Sequence, residues 1–133
     1  MKTTMLTLKQ TKQQISDDPQ HWRIHLMDFV DDFRHYREPQ MIVEPFALTD
    51  ERMDALLAAT TEQLCGELKL ATPSWIRAVP AVRDPWFVSG MESLKAIALV
   101  ESPLPFRLRK LFVLGKFPFP RLNPNYSRKK EDC

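Results

Sequence analysis

The chain contains little glycine and little cysteine, and both shortages restrict its fold. Only 3 of its 133 residues are glycine, so few positions can adopt the positive φ angles that tight hairpins require. The two cysteines, Cys65 and Cys133, lack the spacing of a disulfide framework. We therefore expect free thiols, a reducing cytoplasmic location and a fold that is not held by disulfide bonds.

Long apolar runs and catalytic motifs are also missing. No apolar run approaches the ~20 residues of a membrane-spanning helix, and the opening MKTTMLTLKQTK is too polar for a secretory signal. The sequence has no glycine-rich phosphate loop, no Cys-x-x-Cys pair, no His-Glu-x-x-His and no Gly-x-Ser-x-Gly. We predict no membrane association, no cofactor and no enzymatic activity.

Helical periodicity is the main signal that the sequence does contain. Apolar side chains recur at every third or fourth position over 19–37 and over 49–70. A third run, over 90–101, follows Ser89 and Glu92, which have the spacing of a capping box. Thr49 is expected to cap the helix over 49–70, and Ser102 is expected to cap a further short helix that follows it. These patterns predict an all-α fold, a compact bundle of four to five helices.

Proline marks the connections between these helices. The segment between Pro39 and Pro45 predicts an extended connector, with Met41, Val43 and Phe46 attaching it to the core. The sequences MIV and LFVL have the composition of strands and could pair as a minor ribbon.

Three regions are predicted along the chain. Residues 1–16 form a polar N-terminal segment that could hold a short helix over 6–15, and residues 17–114 form the helical domain. Residues 115–133 form an extended or disordered basic arm, because three prolines within seven residues exclude a helix or a central strand.

Charge is distributed unevenly, although the net charge is only +2. Residues 28–67 contain ten acidic and three basic residues, whereas residues 103–133 contain eight basic and two acidic ones. Such asymmetry is typical of exposed helix faces, and it also suits a partner of opposite charge.

The strongest pattern for a metal site lies on the first long helix. His21, His25 and Asp28 follow one another at spacings of four and three, so they share one helix face. The same row arises on the polar flank of any amphipathic helix. We therefore predict no metal, and name these three residues as the candidate ligands if one binds.

The second half of the chain interleaves aromatic and basic residues. Such a surface could stack bases and hold phosphates, but aromatic side chains near helix ends are usually buried. We favour burial, with the basic cluster Arg107, Arg109 and Lys110 facing away from the core.

The stretch DPWFVSGMESLKAIALVESPLPFRLRKLFV resembles a small, uncharacterised bacterial helical family. Its members share the form P-W-F-x-S/G, then A-x-A-L-x-E-S-P, then F-R and a final F-V. They occur alone or behind a helix-turn-helix domain, and the resemblance implies an antitoxin-like or regulatory partner. Leu108 departs from the pattern, where a base is usual, and so does the proline-rich ending. Matching residues include Pro85, Leu94, Ser102, Pro103, Phe112 and Val113.

These observations favour a non-enzymatic module that binds a protein. The alternative is a nucleic-acid-associated regulator that uses residues 106–130, and a homodimer is left open. The predicted partner-binding residues are Trp86, Phe87, Glu101, Phe106, Arg107, Arg109 and Lys110.

Overall fold

The structure is a computed structural model and describes residues 5–114 and residue 117. This part of the chain is mostly helical, as predicted, but it has six α-helices in place of four to five. The helices are α1 (Leu8–Asp17), α2 (Trp22–Tyr36), α3 (Glu51–Leu68), α4 (Ser74–Arg77), α5 (Lys95–Glu101) and α6 (Leu104–Arg107). Two strands, β1 (Trp86–Phe87) and β2 (Leu111–Phe112), and three 3₁₀ turns (Pro19–His21, Pro39–Ile42 and Glu92–Leu94) complete it. The predicted basic arm lies outside the described residues, except for Phe117, which is buried.

Helix α3 is the centre of the fold and is buried on most of its circumference. Its buried side chains alternate between large and small, with Leu56, Leu57 and Leu64 among three alanines. Asp50 caps its N-terminus by accepting a hydrogen bond from the Met53 N–H at 3.3 Å. The cap is therefore Asp50, and not Thr49 as the sequence suggested.

Helices α1 and α2 cover one side of α3. Helix α2 confirms the predicted helix over 19–37, although its first turn, Pro19–His21, is a 3₁₀ turn. It buries Leu26, Phe29, Val30 and Phe33. Helix α1 crosses the predicted boundary between residues 16 and 17 and adds Leu8 and Ile15 to the same core.

A buried lysine joins α1 to the start of α3. Lys12 Nζ donates to Asp54 Oδ1 at 2.6 Å, to the Ala47 carbonyl at 2.7 Å and to Thr49 Oγ1 at 3.0 Å. It also lies 4.9 Å from the centre of the Phe46 ring. All three donors of the ammonium group are thus used inside the protein.

The connector between α2 and α3 differs from the prediction. Residues Pro39–Ile42 form a 3₁₀ turn and are not extended. Met41 and Phe46 are buried, as predicted, but Val43 is exposed and Ile42 fills the core position instead. The turn rotates successive side chains by about a third of a circle, so Ile42 faces inward and Val43 does not.

The predicted capping box before α5 is absent. Gly90 adopts a left-handed conformation, with φ at +72°, which an α-helix cannot include. Ser89 Oγ therefore accepts from the Met91 N–H within the turn, and α5 begins only at Lys95, after the 3₁₀ turn Glu92–Leu94.

The two strands pair in parallel, with Trp86 opposite Leu111 and Phe87 opposite Phe112. The strand predicted within LFVL is thus confirmed, but it pairs with β1 and not with the MIV segment.

Ser102, expected to cap α6, instead donates to the Ala98 carbonyl at 2.5 Å and accepts from the Val113 N–H at 2.8 Å. This residue fixes α5 against the chain that leaves β2.

Within residues 5–114 and 117, none of the helices combines the length and the apolar character that crossing a lipid bilayer would demand.

Candidate functional site

The predicted partner-binding residues fall within one region, formed by β1, β2, α5 and α6. Trp86 and Phe87 are both half-buried in β1. Phe87 stacks on Phe112 of β2 with ring centres 5.1 Å apart. Trp86 lies 6.3 Å from the Trp22 ring of α2. The two aromatics therefore hold the strand pair to its neighbours while keeping one part of each ring at the surface.

Arg109 is buried, so the expectation that the whole basic cluster faces away from the core is wrong for this residue. Its guanidinium donates to the Ile76 carbonyl at 2.8 Å and the Val79 carbonyl at 3.2 Å. It also pairs with Glu62 Oε1 of α3 at 2.9 Å. These contacts tie the segment after α6 to both α3 and α4.

Arg107 is exposed, but its guanidinium caps the C-terminal end of α5. It donates to the carbonyl groups of Leu99, Val100 and Ser102 at 2.7–2.8 Å. Helix C-termini carry unpaired carbonyls and a partial negative charge, so this arginine stabilises a helix of only seven residues. Its position fixes the orientation of α5 relative to α6.

The remaining predicted residues divide between surface and core. Phe106 is fully buried and packs edge-to-face on Phe117. Glu101 is exposed at the last position of α5. Lys110 is exposed with φ at +62°, and its Nζ lies 3.4 Å from the Arg83 carbonyl oxygen. Of the three basic residues, Arg107 and Lys110 are the ones that a partner could reach.

Sequence reasoning missed the most distinctive feature of this region, its exposed apolar side chains. Nine large apolar side chains are exposed in the described part of the chain, and five of them lie between residues 97 and 108. Val100 is 76% exposed, Leu104 64% and Leu108 63%. We call this surface the α5–α6 face, and it consists of Ile97, Leu99, Val100, Leu104 and Leu108.

A sequence signal for the α5–α6 face did exist. The run KAIALV places apolar residues at consecutive positions and not only at helical spacing, whereas an amphipathic helix has an apolar stripe on one side. A helix this short can bury one side only. Ala98 is its only buried residue, so the large side chains on the other sides face solvent.

The metal candidates do not assemble into a ligand set. His21 Nδ1 and His25 Nε2 each lie 3.0 Å from an oxygen of Asp18, at the end of α1, while Asp28 lies a turn further along α2. No group of three or more His, Cys, Asp or Glu side chains among residues 5–114 and 117 has an arrangement suited to a metal ion. The hydrogen bonds from His21 and then His25 lower the pKa of Asp18.

Cys65 is a buried thiol on α3. Burial raises its pKa above the ordinary value, which outweighs the opposing hydrogen bond with Thr72. A thiol that remains protonated in the core is a poor nucleophile, so its role is packing. Cys133 lies outside the described residues.

No family model, no curated protein and no solved structure matches this chain.

Proposed function

We propose that this protein is a non-enzymatic module that binds another protein through the α5–α6 face. The observation that carries the proposal is the concentration of exposed Val100, Leu104 and Leu108 within nine residues. Single apolar residues scattered over a surface are ordinary, but clustered ones are typical of protein-binding sites. Removing such side chains from water is the main driving force of protein association.

Basic side chains near the α5–α6 face suit a protein partner that has acidic residues at the edge of its own binding surface. Lys110 follows Leu108 by two residues, and Arg83, whose side chain is 90% exposed, lies beside it. Interfaces commonly surround an apolar centre with a polar, charged border. Basic residues at that border would raise the association rate with an acidic partner and make it sensitive to salt.

More specifically, we propose that the protein is an antitoxin-like or regulatory partner protein in the cytoplasm. This proposal is supported by the resemblance of about residues 29–113 to an uncharacterised bacterial family whose members look like antitoxin-type or regulatory partners. Of the α5–α6 face only Leu99 occupies a position that the resemblance shares, so the resemblance supports the class of protein and not the choice of face. The buried free thiol of Cys65 is compatible with a reducing compartment.

Binding of nucleic acid is the alternative, and the described residues favour it less. Phe106 packs on Phe117, Phe87 stacks on Phe112, and Arg109 is buried. These side chains contact one another, whereas single-strand binding needs exposed rings for base stacking. Residues 115, 116 and 118–130 of the proposed nucleic-acid surface lie outside the described residues. A gel shift over a salt series tests this alternative, because phosphate contacts give a steep salt dependence.

Site-specific photo-cross-linking tests the proposed face directly. A benzophenone side chain would replace Leu104 on the face or, as a matched control, Ile24 on α2, which is 59% exposed. In native cells we expect position 104 to form a protein adduct that position 24 does not form, and mass spectrometry would identify the partner. The same protein adducts from both positions, or adducts to nucleic acid alone, would contradict the proposal.

A further inference from the structure

A cleft beside β1 has no residue in common with the α5–α6 face. It is a cleft of about 480 Å³ between α1, α2, the start of α3 and β1. Ile15, Trp22, Met53 and Trp86 provide apolar walls, and Arg52 lies at its border. Small-molecule sites are typically clefts of roughly 300–1,000 Å³ with apolar walls and a few polar groups. The cleft has the size of such a site, and five of its ten lining residues are apolar.

Arg52 carries a positive charge that the protein leaves without a carboxylate. No carboxylate in the described part of the chain pairs with its guanidinium, because the nearby ones are used elsewhere. Asp50 caps α3, Glu51 pairs with Arg83, and Asp54 pairs with Lys12. Arg52 also lies in the first turn of α3, where the helix dipole disfavours a cation.

The two tryptophans of the cleft place flat apolar surfaces beside this charge. The Arg52 guanidinium lies over the Trp86 ring, 5.3 Å from its centre, and the Trp22 ring is 6.3 Å from Trp86. Stacking on an indole restrains the guanidinium without using its N–H donors. In the described part of the chain, neither Trp22 nor Trp86 donates its indole N–H to a protein atom, whereas Trp75 donates to the Ile42 carbonyl. The Arg23 guanidinium lies over the Trp22 ring in the same way, 4.7 Å from its centre. The cleft thus presents a cation stacked on one of two half-buried indole rings.

We propose that this cleft binds a small amphipathic carboxylate. Arg52 would pair with the carboxylate, and Trp22 and Trp86 would contact the apolar body. The planar guanidinium matches a carboxylate with two parallel hydrogen bonds. A single negative charge is favoured over a phosphate dianion because Asp54 neutralises Lys12 and the Asp50 carboxylate also borders the cleft. This inference is independent of the proposed protein partner.

The tryptophan indole N–H signals in an NMR spectrum test the site with an internal control. The protein would be titrated with 4-phenylbutyrate and, separately, with its uncharged amide. We expect the Trp22 and Trp86 signals to shift with the carboxylate, while the Trp75 signal stays in place. The affinity for the amide should be lower by a factor of about ten or more, because the amide cannot form the charge-assisted pair with Arg52.

Substitution of the arginine tests its role in the same titration. Arg52→Gln should weaken binding of 4-phenylbutyrate by roughly tenfold or more, whereas Arg77→Gln, on α4, should leave the affinity unchanged. Absence of shifts at millimolar carboxylate would overturn the proposal. So would equal affinity for carboxylate and amide in the wild-type chain, or equal affinity of the Arg52→Gln and wild-type proteins for the carboxylate.

Discussion

The Arg109 guanidinium lies inside the protein, where it donates to backbone carbonyls of Ile76 and Val79 and pairs with Glu62. Its planar fork satisfies acceptors on two other segments at once, which an ammonium group cannot do with the same geometry. Arg107, only two residues earlier, has the same side chain and a different role at the exposed end of α5. The two arginines differ in burial and not in residue type. The periodicity of the sequence alone could not predict which of them is buried.

Substitution of Arg109 should be strongly destabilising. Arg109→Ala leaves Glu62 without its cation and the Val79 carbonyl without the Arg109 donor, while the Ile76 carbonyl keeps only the Val79 N–H. We therefore expect a loss of roughly 3 kcal/mol or more in the free energy of unfolding. Arg109→Lys should recover only part of that loss. Urea denaturation measures it, with Arg77→Ala as the exposed control. A loss below about 0.5 kcal/mol, the range of ordinary surface substitutions, would contradict the assigned contacts.

The buried pair of Lys12 and Asp54 predicts strong coupling between two substitutions. Either Lys12→Met or Asp54→Asn alone removes one partner of a buried, hydrogen-bonded pair and should cost roughly 3 kcal/mol. The double variant should cost less than the sum of the two single costs, because neither charge is then left unpaired. A double-mutant cycle in urea measures this coupling, and strict additivity would show that the two side chains do not interact.

The Asp18 carboxyl gives a prediction about pH. Hydrogen bonds from His21 and His25 lower its pKa in the folded protein. The contribution to stability is therefore present above the pKa of the unfolded state and is lost as pH falls through the lower, folded-state pKa. An NMR titration of the Asp18 carboxyl carbon should give a midpoint below that of an ordinary aspartate. Replacing both histidines with glutamine should raise the midpoint, and an unchanged value would contradict the contact.

At the scale of elements, glycine decides where α5 begins. The spacing of Ser89 and Glu92 predicts a helix from residue 90, but Gly90 has φ at +72°, and α5 starts five residues later. Gly66, in contrast, lies within α3 with nothing within 4 Å of an added Cβ atom. The two positions therefore predict opposite effects of the same substitution.

Gly66→Ala should stabilise the protein by about 0.5–1 kcal/mol, since alanine loses less conformational freedom in a helix. Gly90→Ala should destabilise it by about 1–2 kcal/mol, because a side chain is strained in the left-handed region. Thermal unfolding of the two variants provides the comparison. If Gly90→Ala were stabilising, the helix would begin at residue 90, as the capping-box spacing suggests.

The long helices were predictable from sequence, and the short elements were not. Helices α2 and α3 have enough turns for the apolar period to define them, as Phe29 and Phe33 illustrate. In contrast, β1 and β2 are two residues long, and they pair across 25 positions of sequence because Trp86 and Leu111 meet in the folded chain. No local pattern contains that contact. The cap on α3 was displaced by one residue for a similar reason, since Lys12 engages Thr49.

The sequence predicts a partner site among residues 85–113, and the structure shows which of the named side chains reach the surface. The pattern drew attention to the aromatic and basic residues of 85–113, yet Phe106 and Arg109 are buried and hold the region together. The most exposed large apolar side chains of this region are instead Val100, Leu104 and Leu108. Which side chains of a short helix remain exposed depends on tertiary packing, and periodicity over seven residues does not determine it.

At the scale of the whole molecule, the fold combines a packed helical body with the two surfaces that we propose as binding sites. Helices α1 to α3 bury the largest share of the apolar residues. The α5–α6 face and the cleft beside Trp22 and Trp86 have no residue in common. A protein partner and a small carboxylate could therefore bind without competing for the same side chains. Whether one ligand alters the affinity of the other is measurable once both are known.

The affinity of the cross-linked partner for substituted proteins tests the central proposal most directly. Val100→Asp with Leu104→Asp places two charges on the α5–α6 face, while Ile24→Asp with Val43→Asp makes the same change at exposed positions elsewhere. By isothermal titration calorimetry, we expect the affinity of the face variant for the purified partner to fall by a factor of about 30 or more. A loss of this size is typical when an interface hot spot is removed. The control variant should bind like wild type. Equal affinity of the two variants for the partner would contradict the proposal that this face binds it.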